Sequence, residues 1–192
     1  MTLAIVYHSN FGHTRLVAEA ILSGARQISG DSQLLSTSEA IAQAEKLHQA
    51  HGIIFGSPTY FGSVSSEFKK FIEFTGSFWY RQLWKDKIAA GFTTSSTTNG
   101  DKLGTLMQLS LFAAQHSMIW VSTGILPVFK EDIQQPEPNG MASYLGFMCQ
   151  SNNSLKTLQP PADLSTAIRF GKRVAQTTLQ FAQDKSYSIQ SI

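Results

Sequence analysis

The sequence predicts a doubly wound α/β domain, with a parallel sheet of five strands in the order 2-1-3-4-5 and helices on both faces. Three observations predict it. Short runs such as LAIVY at 3–7 and GIIFG at 52–56 are apolar at every position instead of alternating, as strands buried on both faces are. Stretches with helical spacing of apolar residues separate these runs, which implies crossover connections and therefore parallel pairing. Right-handed crossovers in a five-stranded sheet then favour the order given.

Taken in order, Leu3 to Tyr7 is the first strand, and Val17, Ala18, Ile21, Leu22 and Ala25 recur at the spacing of the first helix. A weak strand follows around Ser32 to Ser36, then a helix from about Ser38 to His48. The third strand, Gly52 to Gly56, leads to a helix from Ser65 to Thr75 that carries Phe68, Phe71 and Ile72. The fourth strand spans about Lys87 to Thr93, the next helix Asp101 to Gln115, and the fifth strand Met118 to Ser122. Between Gly124 and Ser143, three prolines and the pair Asn139-Gly140 forbid a regular element, so a long loop is expected near the carboxyl end of the sheet. A last helix from about Ala162 to Phe181 precedes a polar tail, 184–192, expected to be loose.

Composition narrows the function. The chain has 192 residues, 42% of them hydrophobic, enough for one core and one domain over residues 1–192. A net charge of +2, with lysines and arginines scattered, marks no nucleic-acid partner. No apolar run approaches the ~20 residues of a membrane helix, so no membrane partner is expected. The lone cysteine cannot form an internal disulfide, and MTLAIVYHSN lacks the features of a signal peptide, so a cytoplasmic setting is expected.

Three loops leave the carboxyl ends of the strands, where ligands of such sheets bind. In HSNFGHT, residues 8–14, Ser9, Asn10 and Thr14 supply donors, Gly12 permits a close turn, and the following helix start attracts an anion. Either this loop cradles a phosphate, or its polar residues merely cap the helix. It lacks a Walker lysine and the GxGxxG spacing, which argues against ATP and a dinucleotide. In GSPTYFGS, residues 56–63, Pro58 fixes the backbone and Gly62 relieves it. Tyr60 and Phe61 either cover the core or present rings to a planar ligand. TTSSTTNGD, residues 93–101, is either a solvated linker or a binder of the polar edge of a heterocycle. Together the loops describe a ligand with a phosphate, a flat aromatic body and a polar rim.

With SNFGHT, FGSPTYFG, FIEFTGSFW (71–79) and the donor-rich loop from Thr93 in this order, the sequence resembles the flavodoxin-like FMN proteins. It is most similar to the branch of tryptophan-repressor-binding-protein type, which acts as NAD(P)H:quinone oxidoreductase. The resemblance covers nearly the whole chain. It implies that Ser9, Asn10, Phe11, Gly12, His13 and Thr14 hold the FMN phosphate, and that Pro58, Thr59, Tyr60, Phe61 and Gly62 flank the isoalloxazine. Thr94, Ser95, Ser96, Thr97, Thr98 and Asn99 would lie at its pyrimidine edge and ribityl chain, with Gln115 near the flavin. Phe11, Trp79 and His116 would border the substrate site, Trp79 often reaching it from a neighbouring subunit. A core or interface aromatic is the plainer reading of Trp79.

What the resemblance implies is two-electron transfer from NADH or NADPH through FMN to a quinone-like acceptor, both substrates using one pocket in turn, in a homodimer or homotetramer. Backbone N–H groups of the Thr94 to Asn99 loop would stabilise negative charge on the reduced ring. No protein nucleophile or metal is called for. The chain departs from the family in four places. Its third loop is bulkier, Gln115 replaces a histidine and removes a proton donor, and the insertion after the second strand, which contributes tetramer contacts, is nearly absent. QSNNSLKTLQPP stands where a glycine-rich stretch is usual.

Other chemistry is weakly supported. His48 and His51 lack a third metal ligand, Cys149 reads as a buried small hydrophobe, and Ser9 and Ser57 lack a nucleophile-elbow setting. His13 either aids the phosphate or faces solvent. The competing functions are a flavodoxin-type electron carrier, a class generally strongly acidic, and a regulatory module without turnover.

Overall fold

Both faces of the first strand are buried, and that fact organises the molecule. The structure, a computed structural model, describes residues 1–127, 138–151 and 161–188. In strand β1 (Leu3–Tyr7), Leu3 and Ile5 point into one core, with Val17, Ile21, Ile54, Phe147 and Phe170. Ala4 and Val6 point into another, with Phe55, Phe68, Phe71, Trp84 and Phe112. A strand so placed cannot alternate apolar with polar, which is why LAIVY reads as it does.

The elements follow in chain order as α1 (His13–Arg26), β2 (Gln33–Ser36), α2 (Thr37–Ala42), α3 (Ala44–Gln49), β3 (Gly52–Tyr60) and β4 (Ser63–Val64). Then come α4 (Ser66–Phe74), α5 (Gly76–Tyr80), β5 (Ile88–Ser95), α6 (Lys102–Gln115), β6 (Ile119–Trp120), β7 (Phe147–Gln150) and α7 (Pro161–Ser188). The sheet order is β2-β1-β3-β5-β6, all parallel. With the short antiparallel β4 set aside, this is the predicted 2-1-3-4-5.

Four differences from the sequence reading matter. The predicted helix over 38–48 is two short helices, broken at Gln43 (φ −124°, ψ 41°); Ala40 and Leu47 are buried on either side of the break. No glycine or proline marks it, so the local sequence carries no signal. Strand β3 continues four residues past Gly56 and folds back on β4, with Thr59 opposite Val64, through a turn in which Phe61 and Gly62 have positive φ. The edge next to β5 is shared: β6 pairs with Ile88 and Ala89, and β7 with Phe92 to Ser95. The second of these strands, four residues long and half-buried at alternate positions, is too short to announce itself. Finally, α7 runs to Ser188, into the segment predicted to be loose, while 189–192 lie outside the described residues.

The predicted loop at 124–143 is described only at its ends. There Asn139 donates from Nδ2 to the carbonyls of Ile125 (2.7 Å) and Ser143 (3.1 Å), which ties the two ends together. Residues 128–137, and 152–160 within QSNNSLKTLQPP, lie outside the described residues.

Candidate active site

The carboxyl ends of β1, β3 and β5 meet at a cavity of about 410 Å³ lined by Ser9, Asn10, Phe11, His13, Thr14, Pro58, Thr59, Tyr60, Thr94, Ser95 and Ser96. All three loops singled out in the sequence contribute. A twelfth residue, Ser151, follows β7 and was not anticipated, because β7 was not.

Helix α1 brings an uncapped start to the cavity's edge. Its N-cap is Gly12, at φ 86°, and no side chain caps it; the first turn holds no acid. The first intrahelical bond runs from Leu16 N–H to Gly12 C=O, so the N–H groups of residues 13–15 point outward beyond the helix. Ser9 does not serve as the cap: its Oγ accepts from Gly12 N–H at 3.1 Å, which holds the loop in its own turn. The capping alternative is therefore not what the loop does. Thr14 Oγ1 lies 2.9 Å from Thr94 Oγ1 and joins the first loop to the third, and Asn10 Nδ2 reaches Tyr60 Oη at 3.4 Å to join it to the second.

Behind the wall lies a chain of buried hydroxyls whose direction can be read. Thr93 Oγ1 donates to the Ser57 carbonyl (2.7 Å), which uses its one proton. Thr59 Oγ1, 2.7 Å away, must then donate to Thr93, and Thr105 Oγ1 must donate to Thr59 at 2.8 Å. The Thr59 proton is thus committed to the scaffold.

The third loop is held by a residue the sequence reading passed over. Lys102, 0% exposed, donates from Nζ to Ser95 Oγ (2.8 Å), Thr97 C=O (2.9 Å) and Thr98 C=O (2.8 Å). Its backbone N–H bonds the Asn99 carbonyl. Gly100 completes the turn at φ 57°, where a Cβ would meet Ser95 Oγ at 2.3 Å. Gln150 braces the loop from β7, donating from Nε2 to the Ser96 carbonyl at 3.2 Å. Thr97, Thr98 and Asn99 therefore shape the loop from behind, while Thr94, Ser95 and Ser96 face the cavity.

Two rings stand at the mouth. Phe11 is 66% exposed, and Phe61, forced outward by its positive φ, is fully exposed, so neither covers the core. Tyr60 lines both the first cavity and a groove of about 700 Å³ that also contains Phe61, Leu111 and Gln115. Within one chain, Trp79, Gln115 and His116 line a different hollow of about 270 Å³. His116 is 1% exposed, tilted over Trp84 with ring centroids 4.5 Å apart. Thr75 Oγ1 donates to the Ile72 carbonyl, so His116 Nε2 must donate to Thr75 Oγ1 at 3.0 Å; Nδ1, unprotonated, has no hydrogen-bond partner. Burial lowers its pKa to about 4. Cys149 is buried as expected, with burial raising its pKa, and its Sγ donates to Asp163 Oδ2 at 3.2 Å. Among the described residues no group of three or more His, Cys, Asp or Glu is placed to hold a metal ion, and no helix is long and apolar enough to cross a membrane.

Known proteins resemble this chain in sequence and fold. Residues 28–131 match the model of the NADPH-dependent FMN reductase family. Flavodoxin FldP of Pseudomonas aeruginosa is 36% identical over 173 residues, 90% of this chain and 94% of that protein. An NAD(P)H dehydrogenase (quinone) of Geotalea uraniireducens is 26% identical over 95% of this chain and 100% of its own length. The crystal structure of a flavodoxin, WrbA-like protein from Agrobacterium tumefaciens superposes with a TM-score of 0.73 at 36% identity, covering 94% of this chain and 98% of that one. The matches share the chain's fold over nearly its whole length, and the chain belongs to the NADPH-dependent FMN reductase family, on its flavodoxin-like, tryptophan-repressor-binding-protein-type branch.

Proposed function

We propose that the chain, acting over residues 1–192 as one FMN-binding domain, transfers two electrons from NADH or NADPH to a quinone-like acceptor. One observation carries the reading: the cavity at the sheet's carboxyl edge joins an uncapped helix start to a polar loop, with aromatic rings at its mouth. These features fit FMN in chemistry. The start of α1 and the Ser9 and Thr14 hydroxyls suit the phosphate, Tyr60 with Phe11 or Phe61 suits the flat ring system, and Thr94 to Ser96 with Ser151 suit the polar rim. When bound, FMN supplies the hydride-accepting and electron-donating chemistry. The protein's part is to position, to keep water from the ring face, and to set the local charge. Among the described residues no lysine, arginine or carboxylate lines the cavity, so their part in binding rests on neutral donors and the helix end.

The quinone reading is supported by the relatives named NAD(P)H dehydrogenase (quinone). The exposed rings Phe11 and Phe61 suit a flat acceptor entering beside the cavity. The flavodoxin relative at 36% favours a carrier as the second reading. A cytoplasmic setting and assembly as a homodimer or homotetramer complete the proposal. Assembly would bring Trp79 and Gln115 of one copy toward the cavity of another, which suits their separation from it within one chain, whereas His116 stays buried in its own core.

The test is an anaerobic titration. FMN should take on a bound-flavin spectrum, NADH or NADPH should bleach it, and a benzoquinone should restore it. Binding without bleaching leaves the carrier; an unchanged free-FMN spectrum at saturation removes both.

A further inference from the structure

Lys102 is placed where a lysine is costly three times over. It is 0% exposed, so its charge is desolvated. It occupies the first position of α6, next to the positive end of the helix dipole, and that helix has no side-chain cap. The ion pairs Arg15–Glu19, Lys69–Glu73 and Lys70–Glu67 all lie on the surface, and none of them includes Lys102. Its three bonds go to neutral oxygens, one hydroxyl and two carbonyls, at 2.8–2.9 Å. Three acceptors match the three protons of an ammonium group; a neutral amine would turn its lone pair toward one of them.

The groups that bear on this charge are few. Burial lowers the pKa of the lysine, and Asp163 opposes this by favouring the charged form; Cys149, a neutral thiol here, adds no charge of its own. Asp163 is already engaged, by the Cys149 thiol, by the Gln150 backbone N–H and by the start of α7 in which it sits. The ammonium therefore keeps an unspent field, and Ser95 conducts it forward. Ser95 Oγ accepts from Nζ on one side, and Ser95 lines the cavity on the other.

We infer that Lys102 is the positioning and charge-setting residue of the site, holding the 95–98 loop in shape and favouring the reduced, negatively charged form of the flavin over the oxidised form. This rests on the FMN reading above. A hydride from NAD(P)H brings two electrons and one proton, so NAD(P)⁺ leaves and the flavin gains one negative charge. On reoxidation two electrons leave for the quinone together with that proton and a second one from solvent. A buried cation one hydrogen bond behind the loop lowers the energy of the charged reduced form and leaves the neutral oxidised ring nearly untouched. The loop's carbonyls at Thr97 and Thr98 turn back toward Nζ, which keeps them from facing a negatively charged ring.

The experiment compares wild type with Lys102→Gln, which keeps N–H donors but not the charge, and Lys102→Arg, which keeps the charge. The readouts are the dissociation constant of oxidised FMN and the midpoint potential by dye equilibration. Whatever affinity Lys102→Gln loses for oxidised FMN through the loosened loop, it should lose at least tenfold more for reduced FMN, a fall of about 30 mV for a two-electron couple. Lys102→Arg should restore most of that preference. If Lys102→Gln weakens both forms equally, or neither, the lysine is only a brace for the loop and the inference is overturned. Should the Gln variant fail to fold, the wild-type potential decides. A slope of about 30 mV per pH unit on the acid side of neutrality, one proton per two electrons, supports a charged reduced form, and about 59 mV overturns it. Failure of wild type to bind FMN at all would remove the functional reading itself, a result distinct from every outcome above.

Discussion

Two residues show how position turns ordinary side chains into site features. Gly12 sits at φ 86° with open space where a Cβ would go, so Gly12→Ala is disfavoured by backbone strain and not by collision. We expect it to destabilise the fold by about 1–2 kcal/mol in urea titration and to weaken FMN binding, because the uncapped turn it shapes is the proposed phosphate end of the cavity. His116 carries a second prediction. Its Nδ1 has no acceptor to bond if protonated, and burial brings its folded pKa to about 4, against about 6.5 unfolded. The unfolded chain therefore binds the proton first as pH falls. Stability from this group is full above pH ~6.5 and is lost between about 6.5 and about 4, reaching about 3 kcal/mol. Burial also lowers the pKa of His8, His48 and His51, which adds to the loss in the same direction. Urea midpoints across that range should fall for wild type and fall less for His116→Gln.

The hydroxyl chain makes a single unit of β3, β5 and α6. Thr59→Val keeps the shape but removes the acceptor for Thr105 and the donor for Thr93, and the buried Thr105 proton is left without a partner. A loss of about 1–3 kcal/mol is expected by chemical denaturation, larger than Thr105→Val produces, since that change removes the end of the chain and strands no donor. The elements themselves were largely readable. Strand β1 matches the predicted span, and α4 and α6 fall within a residue of theirs at each end. Each buries a stripe or face that repeats locally, and local repetition is what periodicity detects. The break at Gln43 and strand β7 were not readable, because neither carries turn chemistry or enough length.

In the whole molecule, α6 bears an exposed apolar line, Leu103, Met107 and Leu111, beside the fully exposed Phe61. Such a line next to a cavity is the surface on which the proposed assembly would form. Sedimentation velocity should give a mass above that of one 21.1 kDa chain, and Met107→Glu should shift it toward the single chain without loss of far-ultraviolet circular dichroism. A wild type that sediments as a single chain would refute the assembly and leave the FMN reading standing.

The amino-acid order alone was enough to name the α/β architecture, the strand order and the three loops at the carboxyl edge, since burial on both faces, crossover handedness and turn chemistry are written within a few residues of where they act. Ser9 to Thr14, Pro58 to Tyr60 and Thr94 to Ser96 could be chosen for that reason, and they meet at one cavity. Folding in space was needed for the rest. Lys102 comes under the influence of Asp163 because α7 brings that carboxyl near it, and Ser151 reaches the cavity because β7 pairs beside β5. His116 is drawn from the predicted substrate site into the aromatic core because Trp84 packs against its ring. Each of these depends on contacts between segments far apart in the chain, and a local pattern holds no record of them.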